Sequence, residues 1–244
     1  MIRHHLGLQN ASVLATRHLL LTRQAIADLV DAEAMGAIVG SAGLGKTFAI
    51  GHTLQERKEP VISLTFEARP TMRLVADRLM HALTGAPGKG TRFAMTDQLL
   101  SALSERTRLV VIGEAQNLNR DCFEYLRHLH DDPETRFSLM FDGGDGCWEI
   151  LAREPMLRSR IYRRVAFTPL TDADVLALIP TYHPIYTDID PKLLILINDK
   201  AGNGRMRNWA GFTATAAGIC RTAGCDGVTE AIARAALTQL GTGR

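Results

Sequence analysis

Gly40-Ser41-Ala42-Gly43-Leu44-Gly45-Lys46-Thr47 decides how this chain folds. It fits the pattern G-x-x-x-x-G-K-[ST] without a mismatch, and its surroundings fit as well. The apolar run Ala37-Ile38-Val39 before it reads as a strand, and Thr47-Phe48-Ala49-Ile50-Gly51-His52-Thr53-Leu54 after it reads as a helix. A strand, a glycine-rich turn and a helix N-terminus aim backbone N–H groups at one spot, where the helix dipole favours an anion. Gly40, Gly43 and Gly45 let the backbone wrap closely around phosphate, in conformations a β-carbon would obstruct. The stretch therefore predicts a nucleoside triphosphate cradle made of Gly40, Ser41, Ala42, Gly43, Leu44, Gly45, Lys46 and Thr47. In that cradle Lys46 reaches the β- and γ-phosphates and the Thr47 hydroxyl ligates Mg2+.

Working outward, residues 12–30 carry a helical spacing (Leu14, His18, Leu21, Ala25, Leu29), suited to packing or to covering a nucleotide base. Strands are expected at 61–66, 109–112, 137–141 and 161–167, and helices at 71–83, 94–105 and 120–130. The run Leu109-Val110-Val111-Ile112 has the continuous apolar character of a central parallel strand. Strands alternating with helices predict an α/β fold with a parallel, right-handed sheet. Residues 85–92 form a glycine-rich connector with two cations, and His128 and His130 read as a solvent-facing helix end. Trp148 and Trp209 read as packing residues. Near Pro169 the character changes, with helices expected at 172–179, 191–199, 205–220 and 229–240. The division predicted is an N-terminal helical segment (1–35), a nucleotide-binding α/β domain (36–168) and a small all-α unit (169–244).

Of the 244 residues, 46% are hydrophobic and 22% charged, which excludes a disordered chain. A net charge of +2 allows a local basic surface without demanding nucleic acid. The four cysteines lack C-x-x-C spacing, so a zinc site or disulfide framework is not expected and reduced thiols in the cytoplasm are. No apolar run of about 18 residues occurs, so no membrane span is expected.

A second signal follows the third expected strand: Ile112-Gly113-Glu114-Ala115-Gln116-Asn117-Leu118. Nucleotide-hydrolysing proteins with this loop place a carboxylate at a strand end for magnesium, and many add an adjacent one that polarises water. Here Gly113 stands where the first belongs. Glu114 is the candidate general base, or else a substitute magnesium partner. ATP binding is expected, and fast hydrolysis is not.

Together with Met156-Leu157-Arg158-Ser159-Arg160-Ile161 and Gly202-Asn203-Gly204-Arg205, these stretches resemble an AAA+ ATPase with its helical lid. The wording Glu114-Ala115-Gln116-Asn117-Leu118 is similar to the branch of transposition regulators of the TniB, TnsC and Mu B type, and to ExeA-type secretion ATPases. The resemblance implies a three-layer parallel-sheet P-loop domain with a small C-terminal all-α lid. It implies that Arg160 enters a neighbouring subunit's site, with Arg158, Arg163 and Arg164 as rivals, and a guanidinium fork suits phosphate oxygens. It further implies that Arg205, or Arg207, senses the γ-phosphate in its own subunit and that Asp142 occupies a polar sensor position.

The function implied is an ATP-dependent switch. It would form a homo-oligomeric ring or filament on double-stranded DNA and select target sites for, or activate, a transposase, with no membrane partner. Arg69, Arg73, Lys89 and Arg92 are candidates for a DNA-facing rim. The alternatives are an ATPase for envelope assembly and a nucleotide-binding interaction module that does not hydrolyse.

Overall fold

The computed structural model describes residues 5–241. Helix α1 (Arg17–Asp31) leads into strand β1 (Met35–Val39), every residue of which is buried. Helix α2 (Lys46–Gln55) follows the glycine-rich stretch. Then come β2 (Val61–Thr65), α3 (Met72–Thr84), α4 (Arg92–Ser104), β3 (Arg108–Gly113), α5 (Arg120–Asp131) and β4 (Phe137–Gly143). Two short helices, α6 (Cys147–Arg153) and α7 (Pro155–Arg158), precede β5 (Ile161–Ala166). The strands all run parallel in the order β2-β3-β4-β1-β5. Parallel neighbours need long crossovers, which the intervening helices supply. The expected α/β fold with a parallel sheet is the one adopted.

The chain divides into two compact units. One comprises Leu21–Ser41 and Glu56–Ala166 and holds the whole sheet. Its core joins Val110, Ile112, Leu139 and Phe141 of the central strands to Val75, Leu79, Leu99 and Leu126 of the helices. The α1–sheet spacing depends on Gly36, because a β-carbon there would lie 2.5 Å from Leu29 Cδ1. Ser138, buried in β4, donates to the Leu29 carbonyl at 2.8 Å.

The other unit comprises the chain up to Leu20, Ala42–Gln55 and the chain from Phe167 onward. It contains α8 (Asp172–Leu178), α9 (Pro191–Ile197), α10 (Met206–Ala223) and α11 (Glu230–Gln239). Thr171 and Asp174 close a capping box at the start of α8, and Thr229 caps α11. Its core centres on Trp209, which meets Tyr186 and Phe212 edge to face at 6.0 and 6.2 Å.

Several expected boundaries shift for physical reasons. Residues 12–16 are not helical: the Ser12 N–H donates to the Tyr182 carbonyl, and the Thr16 hydroxyl accepts from Leu19 N as α1 begins. Leu21 is exposed, and the buried face of α1 runs through Leu19, Thr22, Ala25, Ile26, Leu29 and Val30. His130 does not face solvent. It is half-buried edge-on to Phe137, with ring centroids 5.2 Å apart. Trp209 and Trp148 are packed as expected, Trp148 against the core of the sheet unit with the Arg164 guanidinium over its ring at 3.9 Å. Among the described residues no helix is long and apolar enough to cross a membrane.

Burial holds the imidazoles of His130 and His183 below the ordinary histidine value. For His183 the geometry agrees, since Nδ1 accepts from Ile185 N at 3.3 Å and protonation would put two donors face to face. A histidine with a lowered folded pKa contributes stability that is present above about pH 6.5 and lost as pH falls through the folded value, because the unfolded chain binds more protons. The melting temperature should therefore drop between about pH 7 and about pH 5, before most carboxylates titrate. His130→Gln should flatten that slope in melts monitored by circular dichroism, and an unchanged slope would contradict the assignment.

Candidate functional site

β1 ends at Val39 and the chain turns through Gly40–Gly45 into α2, whose first residue is Lys46. Gly43 (φ 82°) and Gly45 (φ 100°) occupy the left-handed region, where a β-carbon would be strained. Leu44 is buried and anchors the loop, Lys46 is half-buried, and Ala42 and Thr47 are exposed. The first turn of α2 and two left-handed glycines therefore meet at this stretch, with Thr47 exposed beside them.

The start of α10 rests on this loop, within the same unit. The Arg207 N–H donates to the Gly43 carbonyl at 2.9 Å, and Arg205 Nη1 donates to the Ala42 carbonyl at 2.6 Å. A β-carbon on Gly43 would lie 3.2 Å from Arg207 Cβ, and one on Gly45 3.7 Å from Met206 Cγ. Behind these contacts, Gly204 (φ 64°) fits tightly against Leu170, whose N–H it accepts. Gly202 leaves room for the Trp209 indole. The buried core of this unit thus sets where Arg205 and Arg207 stand, and both are brought to the loop.

The sheet unit carries acidic groups of its own. Gly113 ends β3, and a β-carbon there would sit 2.9 Å from Thr65 Oγ1 of the neighbouring β2. Thr65 takes part of the room a strand-end aspartate would need. Glu114 is exposed, with left-handed backbone angles (φ 54°, ψ 41°), and one carboxylate oxygen accepts from Gln116 Nε2 at 2.5 Å. Gln116 Oε1 in turn accepts from Gly144 N at 3.0 Å. Asp142 is half-buried near the end of β4, beside Ile38 of β1. Asp145, in the loop after β4, accepts from the Ser41 hydroxyl at 2.5 Å. Sequence reasoning missed Gln116 and Asp145, because each acts on a residue brought near only by strand pairing.

Arg160 is held in its own chain: Nε donates to Asp131 at 2.7 Å and Nη1 to the Met156 carbonyl at 2.9 Å. Burial raises the Asp131 pKa, but hydrogen bonds and charge from Arg160 and Arg127 outweigh it and keep the carboxyl below the usual range. Arg163 pairs with Asp28, and Arg164 covers Trp148. Arg158 is exposed at the end of α7. Of the rim candidates, Arg73 pairs with Asp77 and donates to the Gly90 carbonyl, while Arg92 opens α4 beside Phe93, a ring 80% exposed.

The residues fit a magnesium–nucleotide complex on the cradle geometry. The donor set is lopsided, since Thr47 offers a hydroxyl and Gly113 offers no carboxylate. Among the described residues no group of three or more His, Cys, Asp or Glu side chains could hold a metal ion unaided.

Residues 30–151, half of the chain, match the model of the family described as AAA domain. Among solved structures, the Aeropyrum pernix ORC2 protein in its ADPNP–ADP complexes is 18% identical with a TM-score of 0.68, over 94% of this chain and 69% of that one. The Aeropyrum pernix ORC1 protein in complex with DNA is 17% identical with a TM-score of 0.65, over 94% and 66%. The Thermotoga maritima RuvB Holliday junction branch migration motor is 16% identical with a TM-score of 0.62, over 95% and 72%. The likeness is one of fold, that of AAA+ P-loop ATPases. No curated protein matches the chain by sequence.

The Gly113–Thr65 contact makes a specific prediction. Gly113→Asp alone should cost about 1–3 kcal/mol through overpacking. Adding Thr65→Ala should recover most of that loss, read as the midpoint of urea unfolding. An additive pair of effects would show that the two positions do not compete for space.

Proposed function

We propose that this chain, which belongs to the AAA domain family, is an ATP-dependent switch that assembles on DNA and acts on a partner transposase. The observation that carries the reading is the seating of Arg205 and Arg207 on the carbonyls of Ala42 and Gly43. A bound magnesium–ATP complex would supply the scissile phosphoanhydride and the metal's charge. The loop N–H groups and Lys46 would hold the phosphates, and Thr47 would hold the metal. Arg205, bonded to the Ala42 carbonyl, would exchange that neutral acceptor for a phosphate oxygen, a stronger charge-assisted one. The start of α10 would then follow the nucleotide state.

In this reading Glu114 takes the proton from attacking water. With Gly113 beside it, hydrolysis is slow and the ATP-bound state long-lived, as suits a protein whose working form is an assembled homo-oligomer. A permanently non-hydrolysing module is the second reading, and Gly113 is the observation that favours it. For the arginine offered to a neighbouring subunit, Arg158 has the open position, whereas Arg160 must first leave Asp131. DNA contact is assigned to Arg69, Arg73, Lys89 and Arg92, with Phe93 among them, by charge complementarity to phosphate. The transposase rests on the likeness of Glu114-Ala115-Gln116-Asn117-Leu118 to the transposition regulators.

ATPase rate and particle size, measured with and without duplex DNA in ATP and in ADP, test the reading. DNA-stimulated turnover with ATP-dependent rings or filaments is expected. Indifference to DNA sinks it, and ATP binding without turnover selects the non-hydrolysing module. Within the assembled form, Arg158→Ala should cut turnover by roughly a thousandfold and leave monomer stability within about 0.5 kcal/mol. Should Arg160→Ala alone produce that loss, the interface arginine is Arg160.

A further inference from the structure

We propose that Gln116 is the positioning residue through which the phosphate loop governs the Glu114 carboxylate. The inference rests on the reading of Glu114 as general base and of residues 40–47 as the ATP cradle. A line of hydrogen bonds runs inside the sheet unit. The Ser41 hydroxyl donates to Asp145 at 2.5 Å, and the loop bearing Asp145 also presents Gly144, whose N–H donates to Gln116 Oε1 at 3.0 Å. Gln116 Nε2 then donates to Glu114 Oε2 at 2.5 Å. Both ends of one amide are therefore engaged, one on the loop that grips Ser41 and the other on the carboxylate.

The backbone on either side leaves this amide little freedom. A β-carbon on Gly143 would lie 2.6 Å from Gln116 Oε1 and 2.2 Å from Cys147 Sγ, so the end of β4 fits closely against the amide. The turn bearing Gln116 is pinned at its far side, where Asn117 Nδ2 donates to the Phe66 carbonyl at 2.7 Å. Glu114 itself sits in the left-handed region, a setting that persists only when its surroundings impose it. With the turn fixed, a displacement of Ser41 or of the Asp145 loop reaches Glu114 through the Gln116 side chain. The position of the base then depends on whether the cradle is occupied.

Gln116→Glu separates this role from packing. It keeps the shape and the acceptor for Gly144 N–H, and it replaces the donor to Glu114 with an oxygen. Amide hydrogen exchange is followed at residues 40–47, 143–147 and 114–118, with and without magnesium and a non-hydrolysable ATP analogue. In the unsubstituted protein all three segments should change on adding the analogue. In Gln116→Glu, residues 40–47 and 143–147 should still respond and 114–118 should not. A purely structural role would alter basal exchange and leave the nucleotide response of 114–118 in place. Gln116→Ala, lacking both bonds, is the second variant and should also lose that response. Persistence of the response in both variants overturns the proposal, as does a silent 114–118 segment in the unsubstituted protein when 40–47 responds. Silence at 40–47 itself sinks the ATP-cradle reading and removes the relay's input with it.

Discussion

Two backbone carbonyls, those of Ala42 and Gly43, hold the start of α10. One hydrogen bond comes from the Arg207 backbone and the other from the Arg205 guanidinium. A bond from a charged donor is worth about 1.5–3 kcal/mol, and water competes for it at a half-exposed site. The placement therefore depends as much on what lies behind it. Gly204 against Leu170, and Gly202 against Trp209, admit no side chain, so the register of α10 is fixed from its buried side. The arginines reach the loop because the tryptophan core leaves the helix nowhere else to begin.

Charge in the sheet unit is arranged by a different logic. Its arginines are mostly engaged: Arg160 and Arg127 share Asp131, Arg163 takes Asp28, and Arg164 lies on an indole. Exposed pairs of this kind contribute little to stability, but they fix where each guanidinium points. The acidic groups Glu114 and Asp145 are likewise restrained, one by an amide and the other by a loop hydroxyl. Gly113 brings no carboxylate to the end of β3, and Thr65 crowds the space beside it, which leaves Glu114 without an acidic neighbour in sequence.

How much of this was legible in the sequence follows from which forces act locally. Strands β1 and β3 were readable because burial on both faces demands unbroken apolar runs. The glycine-rich loop was readable because its backbone conformation admits few residues. Helix α8 announced itself through a cap, which is a contact three residues long. Residues 12–16 misled, because their apolar spacing was helical while a partner far along the chain, Tyr182, claimed the Ser12 N–H. The helices α6 and α7 are too short to show a period, and Pro155 separates them. Arg160 could be placed by its motif, yet its bond to Asp131 could not, and the Gln116 bridge needed the pairing of β1, β3 and β4 to exist at all.

The strand order has a kinetic consequence. β1 emerges first from the ribosome, yet its neighbours are β4 and β5, so Met35 waits for Leu139 and Ile161 before it has partners. Non-local pairings of this kind carry a loop-closure cost that must be met before any contact rewards it. The glycine-rich stretch is thus translated early and given its supporting strand late. A nascent chain that carries the whole motif still lacks both strands that flank β1 until β4 and β5 have been made.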